Sequence, residues 1–300
     1  MGKEIKIVIA KRAGFCFGVE RAVDMAFQAA DKGNKVSTLG PIIHNPQVID
    51  KLKSKGVRPV DNIEDDKIHT LIIRTHGVPR EVSKKLENKK YKVVDATCPF
   101  VKKAQQYAKL LKEDGYQVVI IGDREHPEVK GLMSYAGDDV IVVGKGDSLP
   151  RLRSRVGVVV QTTQSIVLLK SFISEILGQV KEIKVFNTIC NSTALRLKET
   201  EEMAKRVDVM VVVGGKNSAN TTQLANLCIA MSVPTYHIET SSEIKGEWFS
   251  GAERVGITAG ASTPDWIITE VEKRIRDIGG RGRNGNANKR GNKCTRKTVR

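Results

Sequence analysis

No run of apolar residues in these 300 reaches the roughly 18 to 20 needed to cross a bilayer, so no membrane-spanning helix is expected. The opening stretch MGKEIKIVIAKRAGF holds too short an apolar segment, with charges inside it, for a secretory signal. Cysteine is sparse. Five residues, odd in number and widely spaced, do not make a disulfide framework and point to a reducing compartment. The expected location is therefore cytoplasmic. No GxxxxGKS or GxxxxGKT stretch is present, which excludes a P-loop enzyme. Acid is in deficit too: 34 Asp and Glu stand against 50 Lys and Arg, a formal net charge of +16.

Half of that excess lies in residues 281–300, which carry eight basic side chains, no acid and almost nothing apolar. Such a segment cannot bury enough surface to fold, so a basic disordered tail is expected there. Nucleic acid contact through phosphates is open to it, but a solvated tail with no fixed role is the favoured reading. Cys294 within it reads as an exposed thiol. The rest of the chain keeps a positive balance that suits an anionic substrate or an acidic protein partner, without choosing between them. With 40% apolar and 28% charged residues, the composition is that of an ordinary globular chain, long enough for two or three small α/β domains.

What is present is a repeat built on cysteine. Cys16, Cys98 and Cys190 each follow a short β-rich run and precede a helix-like stretch. Counting 28 positions on from each lands on His44, His126 and Ser218, each after a second β-rich run. A third such run leads to His76, Thr162 and Ser262, now 60, 64 and 72 positions from the cysteine. This predicts one α/β unit used three times, with mostly parallel sheets. The expected boundaries are 1–96, 97–188 and 189–280, with the last helix ending near Ile278. In a parallel sheet the C-terminal strand ends are where ligands collect. Three units around a pseudo-threefold axis would bring three thiolates to one centre with a coordination position left open. Zinc with three cysteines and a water fits that pattern, and so does a [4Fe–4S] cluster with one free iron. A buried core cysteine is the alternative for any one of them, and for Cys228 it is the preferred reading.

The same strand ends carry a set of hydrogen-bond donors: His44, His76, His126, Thr162, Ser218, Asn220 and Ser262. Imidazoles, hydroxyls, an amide and nearby helix N-termini suit a phosphate or diphosphate held without magnesium. Glu128, two residues past His126, is a candidate proton donor, because negative charge beside it would raise its pKa. An acid favoured by a helix N-terminus is the alternative. Gly14 and Gly18 flank Cys16 and are expected to let the backbone turn tightly around a ligand.

Seven motifs then carry a resemblance. Gly14-Phe15-Cys16-Phe17-Gly18-Val19, Arg74-Thr75-His76-Gly77, Asp95-Ala96-Thr97-Cys98-Pro99, His126-Pro127-Glu128, Gln161-Thr162-Thr163, Lys216-Asn217-Ser218 and Thr258-Ala259-Gly260-Ala261-Ser262-Thr263-Pro264 occur in this order. Over residues 1 to about 278 the chain resembles the 4-hydroxy-3-methylbut-2-enyl diphosphate reductases, the terminal enzymes of the non-mevalonate isoprenoid pathway. The resemblance implies an iron–sulfur oxidoreductase with a [4Fe–4S] cluster on Cys16, Cys98 and Cys190. It implies substrate contacts from His44, His76, His126, Thr162, the Ser218-Ala219-Asn220 loop and Ser262, with Glu128 as proton donor. It also implies electrons from ferredoxin or flavodoxin and products isopentenyl and dimethylallyl diphosphate. One departure stands out: Ala219 occupies a position where the family usually has serine. Either its backbone N–H serves the diphosphate or one contact is missing. A three-cysteine dehydratase and a nucleic-acid-binding protein using the basic tail are the competing readings.

Overall fold

The computed structural model describes residues 5–32, 35–43, 45–64, 68–149 and 151–284, with backbone alone at Ala219 and over 280–284. The chain opens with β1 (Lys6–Ile9), and Cys16 leads into α1 (Phe17–Asp31). There follow β2 (Val36–Leu39), α2 (Pro46–Ser54), β3 (Val57–Val60), β4 (Thr70–Ile73), α3 (Arg80–Glu87) and β5 (Lys92–Asp95). Cys98 then leads into α4 (Pro99–Glu113), β6 (Gln117–Ile121), α5 (Pro127–Ala136), β7 (Ile141–Val143), β8 (Arg155–Val160), α6 (Ile166–Ile176) and β9 (Glu182–Phe186). Cys190 leads into α7 (Asn191–Ala204), β10 (Val209–Val213), α8 (Ala219–Ala230), β11 (Thr235–Ile238), β12 (Arg254–Ala259) and α9 (Asp265–Asn284).

The twelve strands form three four-stranded sheets, ordered β5-β4-β2-β3, β9-β8-β6-β7 and β1-β12-β10-β11, with parallel pairing throughout. The expected α/β fold of three like units is the one observed. Their central strands read as unbroken apolar runs, TLII, QVVII and VMVVV, because helices cover both faces. Each sheet accordingly has a core on either side. In the third, Val209, Val211 and Val213 pack under α9, while Met210 and Val212 pack under α7 and α8. Cys228 belongs to the latter core and is fully buried, as expected.

The unit boundaries need one correction. β1 was expected within 1–96 but pairs with β12, as the fourth strand of the third sheet. Every cysteine-bearing loop therefore crosses between units. β1 belongs to the third sheet, yet α1 packs Ala22, Val23 and Ala26 against the first. β5 ends the first sheet, yet α4 packs Ala104, Ala108 and Leu111 against the second. β9 ends the second, and α7 packs Met203 and Ala204 against the third. The ring closes because the chain start supplies the strand that the third unit lacks.

Two outer strands, β3 and β11, escaped the sequence reading. Pro59 lies inside β3, where its missing N–H is tolerated because the strand is an edge. The final helix, expected to stop near Ile278, continues to Asn284. It thus takes in the first four residues of the expected tail, whose remainder, with Cys294, lies outside the described residues. Among the described residues no helix is long and apolar enough to cross a membrane.

Candidate active site

The inner three strands of each sheet end at one cavity of about 410 Å³, within the roughly 300–1,000 Å³ usual for small-molecule sites. Cys16, Cys98 and Cys190 line it together. So do His76, His126, Glu128, Thr162, Ser218, Asn220 and Ser262. These ten residues come from all three units, as the repeat predicts. His44 lies outside the described residues. Ala219 opens α8 directly after Ser218, so its backbone N–H is among the first-turn donors that have no partner within the helix.

Five helices begin at this cavity, with Cys16, Cys98, His126, Cys190 and Ser218 at their N-caps. Each N-terminus brings first-turn N–H groups and the positive end of a helix dipole, an arrangement that suits an anion. The histidine rings of His76 and His126 meet edge to face, with centroids 5.2 Å apart. His126 Nδ1 accepts from the Glu128 N–H at 3.2 Å, so the neutral ring carries its proton on Nε2. Asn220 is 7% exposed, and among the described residues neither its Oδ1 nor its Nδ2 has a partner. A buried amide in that state is a group awaiting a ligand.

Glu128 is 1% exposed. Its two oxygens accept from the Thr162 N–H at 2.7 Å and the Thr162 hydroxyl at 2.8 Å. Burial pushes its carboxyl up to about 7, against the pull of those two bonds. Desolvation alone thus raises it, before any charge that a bound anion would add. The result suits a group that gives up a proton near neutrality.

The cysteine centre shows how a thiolate-bound group would fit. The Cys98 and Cys190 sulfurs each face first-turn amides of the helix they precede, Phe100 and Val101 for one and Ser192 and Thr193 for the other. Burial pushes the Cys98 thiol up, the amides of Phe100 and Val101 oppose that, and the charges of Cys16 and Cys190 add to it. Cys190 is raised by burial in the same way. Among the described residues, no three His, Cys, Asp or Glu side chains are gathered to hold a single metal ion. The donor set, three cysteine sulfurs at helix N-termini around one cavity, suits a thiolate-bound group.

The sequence reading missed the reason for Gly18. It is a residue of α1, not a turn, and among these glycines the left-handed backbone falls to Gly14, with φ +98°. A Cβ at Gly18 would stand 2.6 Å from Cys98 Sγ. The missing side chain is the space that the sulfur occupies. Asn45 was also passed over: its side chain accepts from Val48 N–H to cap α2 and donates to the Ser262 carbonyl at 2.9 Å, fastening the first unit to the third.

The family described as LytB protein matches residues 7–276. The chain belongs to this family. A curated LytB relative, 4-hydroxy-3-methylbut-2-enyl diphosphate reductase of Pelobacter propionicus, is 53% identical over 91% of this chain and 99% of its own. The protein of the same description from Geobacter sulfurreducens is 52% identical over 91% and 98%. A solved structure described as (E)-4-hydroxy-3-methyl-but-2-enyl diphosphate reductase, the terminal enzyme of the non-mevalonate pathway, superposes with a TM-score of 0.71 at 46% identity. It covers 91% of this chain and 99% of that one. The Plasmodium falciparum reductase structure reaches a TM-score of 0.80 at 22% identity, covering 90% and 87%, a likeness of fold. The resemblance drawn from the seven motifs is therefore borne out.

Proposed function

We propose that this LytB protein reduces (E)-4-hydroxy-3-methylbut-2-enyl diphosphate to isopentenyl and dimethylallyl diphosphate, in the cytoplasm. The observation that carries this is a single cavity in which three cysteines face a buried, proton-holding carboxyl and a crown of anion donors. The balance is one C–O bond broken and one C–H bond formed, with two electrons and two protons consumed and water released. Ferredoxin or flavodoxin supplies the electrons one at a time. A [4Fe–4S] cluster held by Cys16, Cys98 and Cys190 supplies, when bound, single-electron transfer and a Lewis-acidic iron that has no protein ligand.

The chain's own residues do the rest. His76, His126, Ser218, Asn220 and Ser262, joined by His44 and the Ala219 N–H, hold the diphosphate and neutralise its charge with the helix N-termini. Glu128 Oε2 holds the proton that the departing hydroxyl needs, and the Thr162 hydroxyl beside it keeps that carboxyl aimed. Burial of Glu128 excludes water from the proton path. Anaerobic purification, iron and sulfide counts and product analysis test the proposal together. Conversion of the diphosphate should require a one-electron reductant, and water loss without added electrons would sink it in favour of a dehydratase.

A further inference from the structure

Arg196 heads the large side chains that are fully enclosed, at 2% exposure. It lies on α7 six residues after Cys190, about 9 Å along the axis. Its Nη1 donates to the Ala259 carbonyl at 2.8 Å, while its Nε has no partner among the described residues. Among the described residues no carboxylate stands within ion-pair distance of it. Glu199, one turn on, is taken by the backbone N–H groups of Lys11 and Arg12, at 2.7 and 2.9 Å. A buried guanidinium without a counter-ion costs far more than one carbonyl bond returns. Holding Ala259 would need only a neutral donor, so the charge itself requires an explanation.

The surroundings give one. Ala259 ends β12, and two residues on in the following turn is Ala261, whose carbonyl accepts from the Cys16 N–H at 3.2 Å. Arg196 thus stands behind the wall that carries Cys16. Burial lowers its pKa, the negative charges of Cys16, Glu199 and Cys190 oppose that, and the Arg12 charge adds to the lowering. We propose that Arg196 is the fixed counter-charge of the cysteine centre, offsetting the negative charge of three thiolates and their bound group and favouring its reduced state. This rests on the reading that the centre holds an iron–sulfur cluster.

The test compares the wild-type protein with Arg196→Met and Arg196→Lys, all purified anaerobically. Iron and sulfide counts on the wild type check the underlying reading, and their absence there overturns it and the role of Arg196 with it. Potentiometric titration followed by electron paramagnetic resonance checks Arg196 by itself. Losing the charge should disfavour one-electron reduction by about tenfold, which is 59 mV toward negative potential. Arg196→Lys should stay near the wild type. A potential unmoved in Arg196→Met, or displaced equally in both variants, overturns the proposal. Thermal unfolding of the cluster-free proteins gives a second reading. Arg196→Met should then be more stable than the wild type, because an uncompensated buried charge is gone. A cluster-free Arg196→Met protein that melts below the wild type counts against the role. A cluster kept by Arg196→Lys and lost by a folded Arg196→Met supports it.

Discussion

Thr162 grips Glu128 twice, its N–H on one carboxyl oxygen at 2.7 Å and its hydroxyl on the other at 2.8 Å. The two residues belong to different strand ends, after β8 and at the head of α5. Cys190 N–H in turn donates to the Thr162 carbonyl at 2.8 Å. The carboxyl, its partner and one sulfur of the cysteine centre are thus a single rigid arrangement. Predictions about proton delivery follow from this contact.

Glu128→Gln keeps the size and one acceptor oxygen, for the Thr162 N–H, replaces the other with an amide donor, and cannot give up a proton. Substrate binding should change little, and turnover should fall by roughly 10²-fold or more. In the wild type, turnover should decline as pH rises through about 7, where Glu128 loses its proton. Steady-state kinetics against pH check both points, and undiminished turnover in the variant removes Glu128 from the role.

The same carboxyl makes stability depend on pH. Its ordinary value of 4.5 applies to the unfolded chain, and it lies at about 7 in the fold. Between these limits the folded state holds more protons than the unfolded one. Its contribution is therefore fully present below pH 4.5 and is lost as pH rises through 7, amounting to about 3 kcal/mol. Urea denaturation from pH 5 to 8 should show Glu128→Gln gaining on the wild type as pH rises. Parallel curves for the two proteins would count against the raised carboxyl.

Thr162→Val removes the hydroxyl donor and leaves the N–H. That bond favours the carboxylate, so its loss should raise the Glu128 pKa further. A hydrogen bond to a charged group is worth roughly 1.5–3 kcal/mol, hence a shift of about one unit or more. The alkaline limb of the turnover profile should move up by that amount, with the maximum rate lowered. A limb that stays in place would separate Thr162 from the acid.

Gly18→Ala should displace the Cys98 sulfur, because the added methyl carbon would stand 2.6 Å from it. The fold should persist, since α1 gains helix propensity from alanine. Iron and sulfide content after anaerobic purification should fall well below the wild-type figure. A full complement in the variant would show that the sulfur has room to move.

Ala219→Ser tests the departure in the diphosphate loop. If a hydroxyl contact is missing in this chain, the variant should bind substrate up to about tenfold more tightly, the equivalent of about 1.4 kcal/mol. An unchanged Michaelis constant would assign the contact to the backbone N–H at the head of α8.

Much of this site was readable along the chain because its signals are local and repeated. The constant interval of 28 residues put Cys98 and His126, like Cys190 and Ser218, at equivalent strand ends. Apolar runs such as VMVVV identified buried parallel strands, since a strand covered on both faces has no polar alternation. The edge strand β3 stayed hidden because Pro59 argues locally against a strand, and only its outer position makes it harmless.

By itself, the order of amino acids determined three α/β repeats, three cysteines after strands and a ring of anion donors, all properties of spacing and side-chain type. Tertiary structure alone decided that β1 completes the third sheet, that Gly18 leaves room for a sulfur 80 residues away, and that Arg196 is sealed in without a carboxylate. The physical reason is that strand pairing, a missing Cβ and an uncompensated charge are relations between atoms brought together through space. Residue identity along the chain carries no trace of them until the units close on one another.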